Sequence, residues 1–156
     1  MASVPRPPAS ELAECNCLAV RQAARHVSQF YDQFLAPSGL RTTQFSVLAK
    51  LRRGGAMTIN ALAKELVMDR TTLGRNILPL EREGLIAILP GRADKRSKEL
   101  SLTEAGAARL REAAAGWREA QARFEQVFGA GRSAELRALL RAVSASDLGG
   151  AGDRAS

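Results

Sequence analysis

The most constraining feature of the sequence is a change of periodicity at Gly84. Before it, apolar residues recur every three or four positions in short runs, which indicates amphipathic helices. After it, two short apolar-rich segments flank the polar stretch 91–97, which is typical of two strands joined by a loop. The predicted elements are helices over about 43–53, 58–66 and 69–83 and strands over 85–90 and 98–102.

Longer helices are predicted on both sides of this region, because apolar stripes at helical spacing continue there. The flanking helices cover about 11–35, 103–128 and 133–143. The two ends, 1–9 and 149–156, are rich in Pro, Gly, Ala and Ser without periodicity, and we expect them to be disordered tails. The sequence therefore predicts a mainly α fold with a small β-hairpin, built as a single domain over 10–148.

Basic residues concentrate between the last short helix and the hairpin. The chain carries 23 Lys and Arg against 16 Asp and Glu, and residues 70–98 hold seven of the basic residues against three acidic ones. This region therefore contributes +4 of the net charge of +7. Such a surface suits a polyanion, either nucleic acid or an anionic membrane. DNA is favoured, because a membrane-surface protein would carry a basic amphipathic helix with exposed Phe or Trp.

The order of short helices followed by a basic hairpin is the arrangement of a winged helix-turn-helix. In such a fold one helix enters the major groove, and the hairpin, or wing, reaches the neighbouring backbone or minor groove. With Leu73, Ile77 and Leu80 facing the core, the first turns of the 69–83 helix are left to contact DNA. The predicted DNA-binding residues are Arg70, Thr71, Thr72, Arg75 and Asn76 on the helix and Arg92, Lys95, Arg96 and Lys98 on the hairpin.

These residues resemble the MarR family of bacterial regulators. The similarity runs through six ordered blocks, at 43–48, 62–66, 69–75, 80–86, 94–96 and 102–106. Its most specific parts are the block Asp69-Arg70-Thr71-Thr72 and the wing motif Asp94-Lys95-Arg96. The resemblance extends over about residues 11–145. One departure is Pro79, which lies inside the predicted helix and is expected to kink it.

The resemblance implies a homodimer that binds an inverted repeat in double-stranded DNA. The dimerisation helices would lie in 10–36 and 104–146, and the winged helix-turn-helix in 41–103. By the same resemblance Arg96 would enter the minor groove, and Asp94 would support the wing by holding that arginine in place.

Two signals compete for the control of DNA binding. Many members of the family bind small aromatic acids or phenolic compounds between the dimerisation helices and the winged region, and the resemblance makes this the first expectation. The sequence offers His26 and Phe30 as possible ligand residues. Release of DNA by such a ligand would make the protein a ligand-responsive repressor.

The alternative is a redox switch at Cys17. Alignment with the organic-peroxide-sensing branch of the family places Cys17 at the position of the reactive cysteine. It places Tyr31 at the position of one of the tyrosines that form a hydrogen bond with this cysteine across the dimer. The other two tyrosine positions hold Arg21 and Thr42, which is a departure from that branch. Arg21, one helical turn from Cys17, is a plausible partner for a thiolate.

Several other classes of protein are disfavoured. The sequence lacks a nucleophile elbow, a phosphate-binding loop and the Ser, His and Asp motifs of a catalytic triad. We therefore expect that the protein is not an enzyme and that it binds no cofactor. With two cysteines and one histidine, no usual zinc site can be assembled, and we expect no metal. No apolar run is long enough to span a membrane, and the first ten residues lack the apolar core of a signal peptide. The expected location is the cytoplasm.

Overall fold

The computed structural model describes residues 9–148 of the chain. The two predicted tails lie outside the described residues, except for Ala9, which begins the first helix. The elements in order are α1 (Ala9–Ala13), α2 (Asn16–Leu35), a 3-10 turn (Ala36–Ser38), α3 (Thr42–Gly54), β1 (Met57–Thr58), α4 (Ile59–Glu65), α5 (Arg70–Arg82), β2 (Ile86–Pro90), β3 (Lys98–Leu102), α6 (Glu104–Phe128) and α7 (Ala130–Ala145). This mainly helical architecture with a small hairpin confirms the predicted fold class.

The antiparallel sheet has three strands in the order β1, β3, β2, whereas the sequence predicted only the hairpin. The hairpin pairs Ile86 with Leu102 and Pro90 with Lys98. The additional strand β1 pairs Met57 with Leu100 on the other side of β3. Sequence periodicity missed β1 because a strand of two residues has no measurable alternation.

The predicted continuous helix over 11–35 is wrong, because the chain breaks between α1 and α2. Cys15 lies in an extended conformation and caps α2, its Sγ accepting the Leu18 N–H at 3.4 Å. The break falls in a run of residues with modest helix propensity, Cys15-Asn16-Cys17. Cys15 therefore precedes the helix on which Cys17 lies.

The helix α5 follows its sequence signals closely. Asp69 is its N-cap, and Gly84, with φ of 70°, lies just beyond its end. Hydrogen bonding continues past Pro79, with the Glu83 N–H bonded to the Pro79 carbonyl at 3.0 Å. One face of α5 belongs to a core whose largest fully buried side chains include Leu48, Leu51, Leu62, Leu73, Leu80 and Leu100.

The turn between α4 and α5 has an unusual backbone. Val67 adopts φ of 50°, the left-handed region, and is the only non-glycine residue with positive φ in the described chain. A β-branched side chain is poorly suited to this conformation. Val67 is also 76% exposed, so no core packing offsets the strain at its own side chain.

The long helix α6 joins the winged region to α2. Gly116 allows close approach, because a Cβ atom there would lie well inside van der Waals contact with the Phe34 carbonyl oxygen near the end of α2. Arg109 makes a second connection, donating to the Ser38 carbonyl at 3.2 Å and to Glu83 Oε2 at 3.3 Å. Through Gly116 and Arg109, α6 thus contacts both the end of α2 and the end of α5.

We expect Gly116→Ala to destabilise the fold by about 1–3 kcal/mol, because the added methyl forces α6 away from α2. Gly131→Ala is the matched control, since Gly131 lies in α7 with open space around it. That change is expected to be neutral or to stabilise by up to about 1 kcal/mol. Urea unfolding at one protein concentration measures both effects, and equal stability of the two variants would contradict the close packing.

Candidate nucleic-acid interface

The start of α5 is fixed by its cap. Asp69 Oδ1 accepts the Thr72 N–H at 2.8 Å, and Oδ2 accepts the Thr72 hydroxyl at 2.6 Å. These hydrogen bonds, the one from the hydroxyl first, lower the pKa of the Asp69 carboxyl. The cap is therefore ionised at neutral pH, and its negative charge lies at the positive end of the helix dipole.

Burial of one face of α5 turns the polar residues of its first turns outward. Arg70, Thr71 and Arg75 are exposed, and within residues 9–148 their side chains form no hydrogen bond or ion pair. Thr72 and Asn76 differ, because Thr72 donates to the cap and Asn76 Nδ2 donates to the Thr72 carbonyl at 2.8 Å. Three of the five predicted helix residues are thus free to contact a ligand directly, and two are tied within the helix.

The tip of the wing is organised by Asp94. Its carboxylate accepts the backbone N–H of Arg96 at 2.9 Å, and its carbonyl accepts the Ser97 N–H and hydroxyl at 3.0 and 2.7 Å. Gly91 closes the loop by donating its N–H to the Ser97 carbonyl at 2.8 Å. Asp94 therefore shapes the wing through the backbone of Arg96, and the described residues include no ion pair between the two side chains.

All four basic side chains predicted on the wing are exposed, and in the described part of the chain none forms an ion pair. They are Arg92, Lys95, Arg96 and Lys98. Lys95 and Arg96 line a cleft of about 530 Å³ together with Gly74 and Leu78 of α5. This cleft places the wing beside α5, which we call the recognition helix. The α5 residues that line it are Gly74, Ile77, Leu78 and the acidic Glu81.

A second feature is a cavity of about 380 Å³ between α2, α3 and α6. Phe45 and Trp117 form one wall, with nearly parallel rings at a tilt of 14° and centroids 6.0 Å apart. Lys50 and Arg53 bring two cations to the same cavity. The cavity therefore combines aromatic surface with positive charge.

Tyr31 lines this cavity and donates a hydrogen bond to Gln121 Oε1. Burial, together with the nearby Glu125 carboxylate, raises the pKa of the Tyr31 hydroxyl. The hydroxyl therefore keeps its proton at neutral pH and acts as a donor.

The residues predicted to sense a signal are scattered. His26 is exposed, and Phe30 packs against Tyr31 and Phe34 with ring centroids 5.7 and 5.0 Å away, so neither lines the aromatic cavity. Cys17 and Arg21 are exposed on the first turns of α2, and Cys17 is a free thiol. The hydroxyl of Thr42, one of the aligned tyrosine positions, donates a hydrogen bond to Asp32 Oδ1 at 2.6 Å.

The cavity residues Phe45, Lys50, Arg53 and Trp117 were not among the predicted site residues. Phe45, Ala49 and Arg53 recur at intervals of four residues on α3, and Lys50 lies three residues before Arg53, which was a usable signal for a shared face. Trp117 comes from α6, distant in sequence, and no local pattern links it to α3.

Apolar side chains are exposed along α2 and α7. Val20 is 45%, Leu139 66%, Leu140 43% and Val143 49% exposed. A cavity of about 470 Å³ between α2, α6 and α7 is lined by small and apolar residues, including Ala23 and Leu140. A single copy of the chain leaves this face uncovered.

Within residues 9–148, no helix is both long enough and apolar enough to cross a membrane. The same residues contain no group of three or more His, Cys, Asp or Glu side chains placed to hold a metal ion.

Comparison with known proteins gives consistent matches. The family model described as the MarR family matches residues 40–98. The Mycobacterium tuberculosis transcriptional regulator MosR, solved in complex with DNA, is 38% identical with a TM-score of 0.73, covering 86% of this chain and 99% of that one. Bordetella bronchiseptica BpsR, whose DNA binding is regulated by 6-hydroxynicotinic acid, is 25% identical with a TM-score of 0.75, covering 92% and 100%.

Curated relatives match over a shorter part of the chain. The multiple antibiotic resistance protein MarR of Salmonella typhimurium is 38% identical over 49% of this chain and 54% of its own length. The chain spans little more than half the length of the curated relatives it matches, as the 57% of the Rhodopseudomonas palustris activator BadR also shows.

Proposed function

This chain belongs to the MarR family, and we propose that it acts as a homodimeric regulator that binds an inverted-repeat DNA operator. The relatives that it matches are transcriptional regulators rather than enzymes. The observation that carries the proposal is the set of exposed basic side chains on the first turns of α5 and on the adjoining wing, which have no acidic partner within the described chain. Unpaired cations on a helix and a hairpin suit phosphate oxygens and base edges.

The helix and the wing have different tasks in this proposal. Arg75 lies on the helix that enters the major groove, where an arginine donates two hydrogen bonds to guanine and so reads sequence. Arg96 lies on the wing tip shaped by Asp94 and meets the minor groove or the backbone, where the sequence information is smaller. Many phosphate contacts would make binding steeply dependent on salt.

We expect Arg75→Ala to weaken operator binding by about 1–3 kcal/mol and to relax sequence preference at one position. Arg96→Ala is expected to weaken binding with little change in preference, and to reduce the salt dependence. Arg123→Ala, which removes the same charge from an exposed site on α6, is the control. Titration of a selected operator and of shuffled duplexes at several salt concentrations measures these effects. Parent-like binding by both interface variants would reject the proposed docking.

Support for a homodimer comes from the exposed apolar face of α2 and α7. Isolated exposed leucines are common, but Val20 and Leu140 line one mostly apolar cavity, whose polar members include Gln121 and Arg137. Leu139 and Val143 are exposed on the same helix as Leu140. Small residues on α2, such as Ala23, leave room for a helix of a second copy. Two copies would present two winged regions to the two halves of an inverted repeat.

We expect Leu140→Glu to produce monomers, because the new carboxylate would lie in the dimer interface without a partner. Operator affinity is expected to fall by at least about a hundredfold, since one monomer engages a single half-site. Leu89→Glu, at an exposed leucine of the wing, leaves this face unchanged and is the control for oligomeric state only, because an acid on the wing also opposes DNA. Analytical ultracentrifugation, against the chain mass of 16.7 kDa, distinguishes the states. A Leu140→Glu dimer with full affinity would contradict the assigned interface.

For the signal, we propose a small aromatic acid bound in the cavity between α2, α3 and α6. The nearly parallel Phe45 and Trp117 rings suit an aromatic ring, and Lys50 and Arg53 suit a carboxylate. The regulation of BpsR by 6-hydroxynicotinic acid, an aromatic acid, is consistent with this chemistry. Ligand binding would favour a dimer whose recognition helices are wrongly spaced for DNA, and the protein would then act as a repressor released by its ligand.

A thiol switch is the second candidate. It is favoured by the accessibility of Cys17, a free thiol on the exposed first turn of α2. The positive end of the α2 dipole stabilises negative charge there. Oxidation by an organic hydroperoxide would convert the thiol to a sulfenic acid, with the alcohol as the other product. Tyr31 gives this reading no support within one chain, since its hydroxyl is engaged with Gln121.

The two signals are separated by paired variants and probes. We expect 6-hydroxynicotinate or benzoate to release the parent protein and Cys17→Ser equally, and to bind Arg53→Gln about tenfold more weakly. Arg52→Gln is the control, because Arg52 is exposed beside Arg53 but does not line the cavity. Calorimetry and DNA-release titrations give both quantities. Release by cumene hydroperoxide that is lost in Cys17→Ser and reversed by a reductant would favour the thiol switch instead.

A further inference from the structure

Lys50 borders both the aromatic cavity and the carboxylate of Glu65. It lines the aromatic cavity, yet its Nζ is 2.9 Å from Glu65 Oε2 on α4. Glu65 does not line the aromatic cavity, and it meets Lys50 and Arg53 in an adjoining hollow beside Gly54 and Met57. A carboxylate in the cavity would therefore compete with Glu65 for the same cations.

The electrostatics of Glu65 depend on the same cations. A hydrogen bond and the charge from Lys50, with a smaller contribution from Arg53, lower the pKa of the Glu65 carboxyl. The carboxylate is ionised at neutral pH and is the acidic partner of Lys50 in the described chain. An anion entering the aromatic cavity would meet a lysine that is already paired.

Glu65 is the last residue of α4, directly before the turn to the recognition helix. Two backbone hydrogen bonds connect that turn to α4. The Val67 N–H donates to the Lys64 carbonyl at 3.2 Å, and the Met68 N–H donates to the Ala63 carbonyl at 2.9 Å. Asp69, the cap of α5, follows immediately. A change in the position of Glu65 therefore acts on residues 66–68, the turn that leads into the N-cap of α5.

We propose that an aromatic carboxylate in the cavity takes Lys50 from Glu65, and that this exchange of ion-pair partner transmits ligand binding to the recognition helix. The proposal rests on the cavity being the effector site, as proposed above. A lysine ammonium that moves toward a carboxylate in the cavity lengthens its contact with Glu65. Ligand binding thus weakens the α3 to α4 ion pair at this side chain.

The size of the effect is bounded by the exposure of the pair. The Lys50 and Glu65 side chains are 39% and 54% exposed, so solvent screens their attraction. An exposed pair of this kind accounts for at most about a fivefold change in affinity. The exchange is therefore one contribution to release and not the whole of it.

The test measures benzoate affinity in Glu65→Gln and Glu65→Asp, with the protein free and bound to its operator. Glu65→Gln removes the competing charge, whereas Glu65→Asp keeps the charge but withdraws it by one methylene, which weakens its contact with Lys50. We expect both variants to bind benzoate about two- to fivefold more tightly than the parent when bound to the operator, and by a smaller factor when free. The ratio of benzoate affinities between free and operator-bound protein is therefore expected to fall.

Controls separate this from general electrostatics and from misfolding. Glu119→Gln removes one negative charge from an exposed site on α6 and is expected to bind benzoate like the parent. Benzamide, which lacks the charge, is expected to bind all variants equally. Thermal unfolding and operator binding without benzoate verify that each variant is folded.

Three outcomes would count against the proposal. If Glu65→Asp behaves like the parent while Glu65→Gln binds more tightly, charge repulsion alone acts and the exchange of partner is overturned. If both variants behave like the parent although benzoate binds and releases DNA, the exchange is overturned and the effector cavity stands. If benzoate does not bind the parent, the proposed effector chemistry fails and the exchange fails with it.

Discussion

The burial of one face of α5 is the interaction on which the rest of the structure depends. Leu73 and Leu80 are fully buried and Ile77 is nearly so, packed with residues of α3, α4 and the sheet. Each such side chain contributes about 1.5–3 kcal/mol by leaving water. Because these three positions fix the rotation of the helix, they also determine that Arg70 and Arg75 face outward. The chemistry of the surface is thus a consequence of packing on the opposite side.

The long helix α6 connects the winged region to α2. Arg109 and Gly116 hold it against the end of α2, Arg109 also contacts the end of α5, and Lys50 holds α3 to α4. The aromatic cavity lies among α2, α3 and α6. Because Leu73 and Leu80 tie α5 into a densely packed core, a shift that starts at the cavity would move the core and α5 together.

Local signals predicted the elements that present the basic surface. The cap at Asp69, the apolar spacing of α5 and the polar stretch 91–97 each act within a few residues, so the sequence alone located the helix and the wing. The break before Cys15 and the strand Met57–Thr58 escaped prediction, since each is decided by one hydrogen bond or one partner strand. The aromatic cavity is built by residues from three helices distant in sequence, and periodicity cannot show which of them meet.

The left-handed backbone of Val67 has a consequence for dynamics. The folded state carries a local cost there that the unfolded chain does not, on the order of 1–3 kcal/mol for a strained residue of this kind. Opening of the turn between α4 and α5 relieves this strain. The free energy of local opening is therefore lower at this turn than in the hydrophobic core. Its amide hydrogens would exchange with solvent earlier than those of α3. The strained residue in the turn after α4 thereby influences how readily α5 detaches.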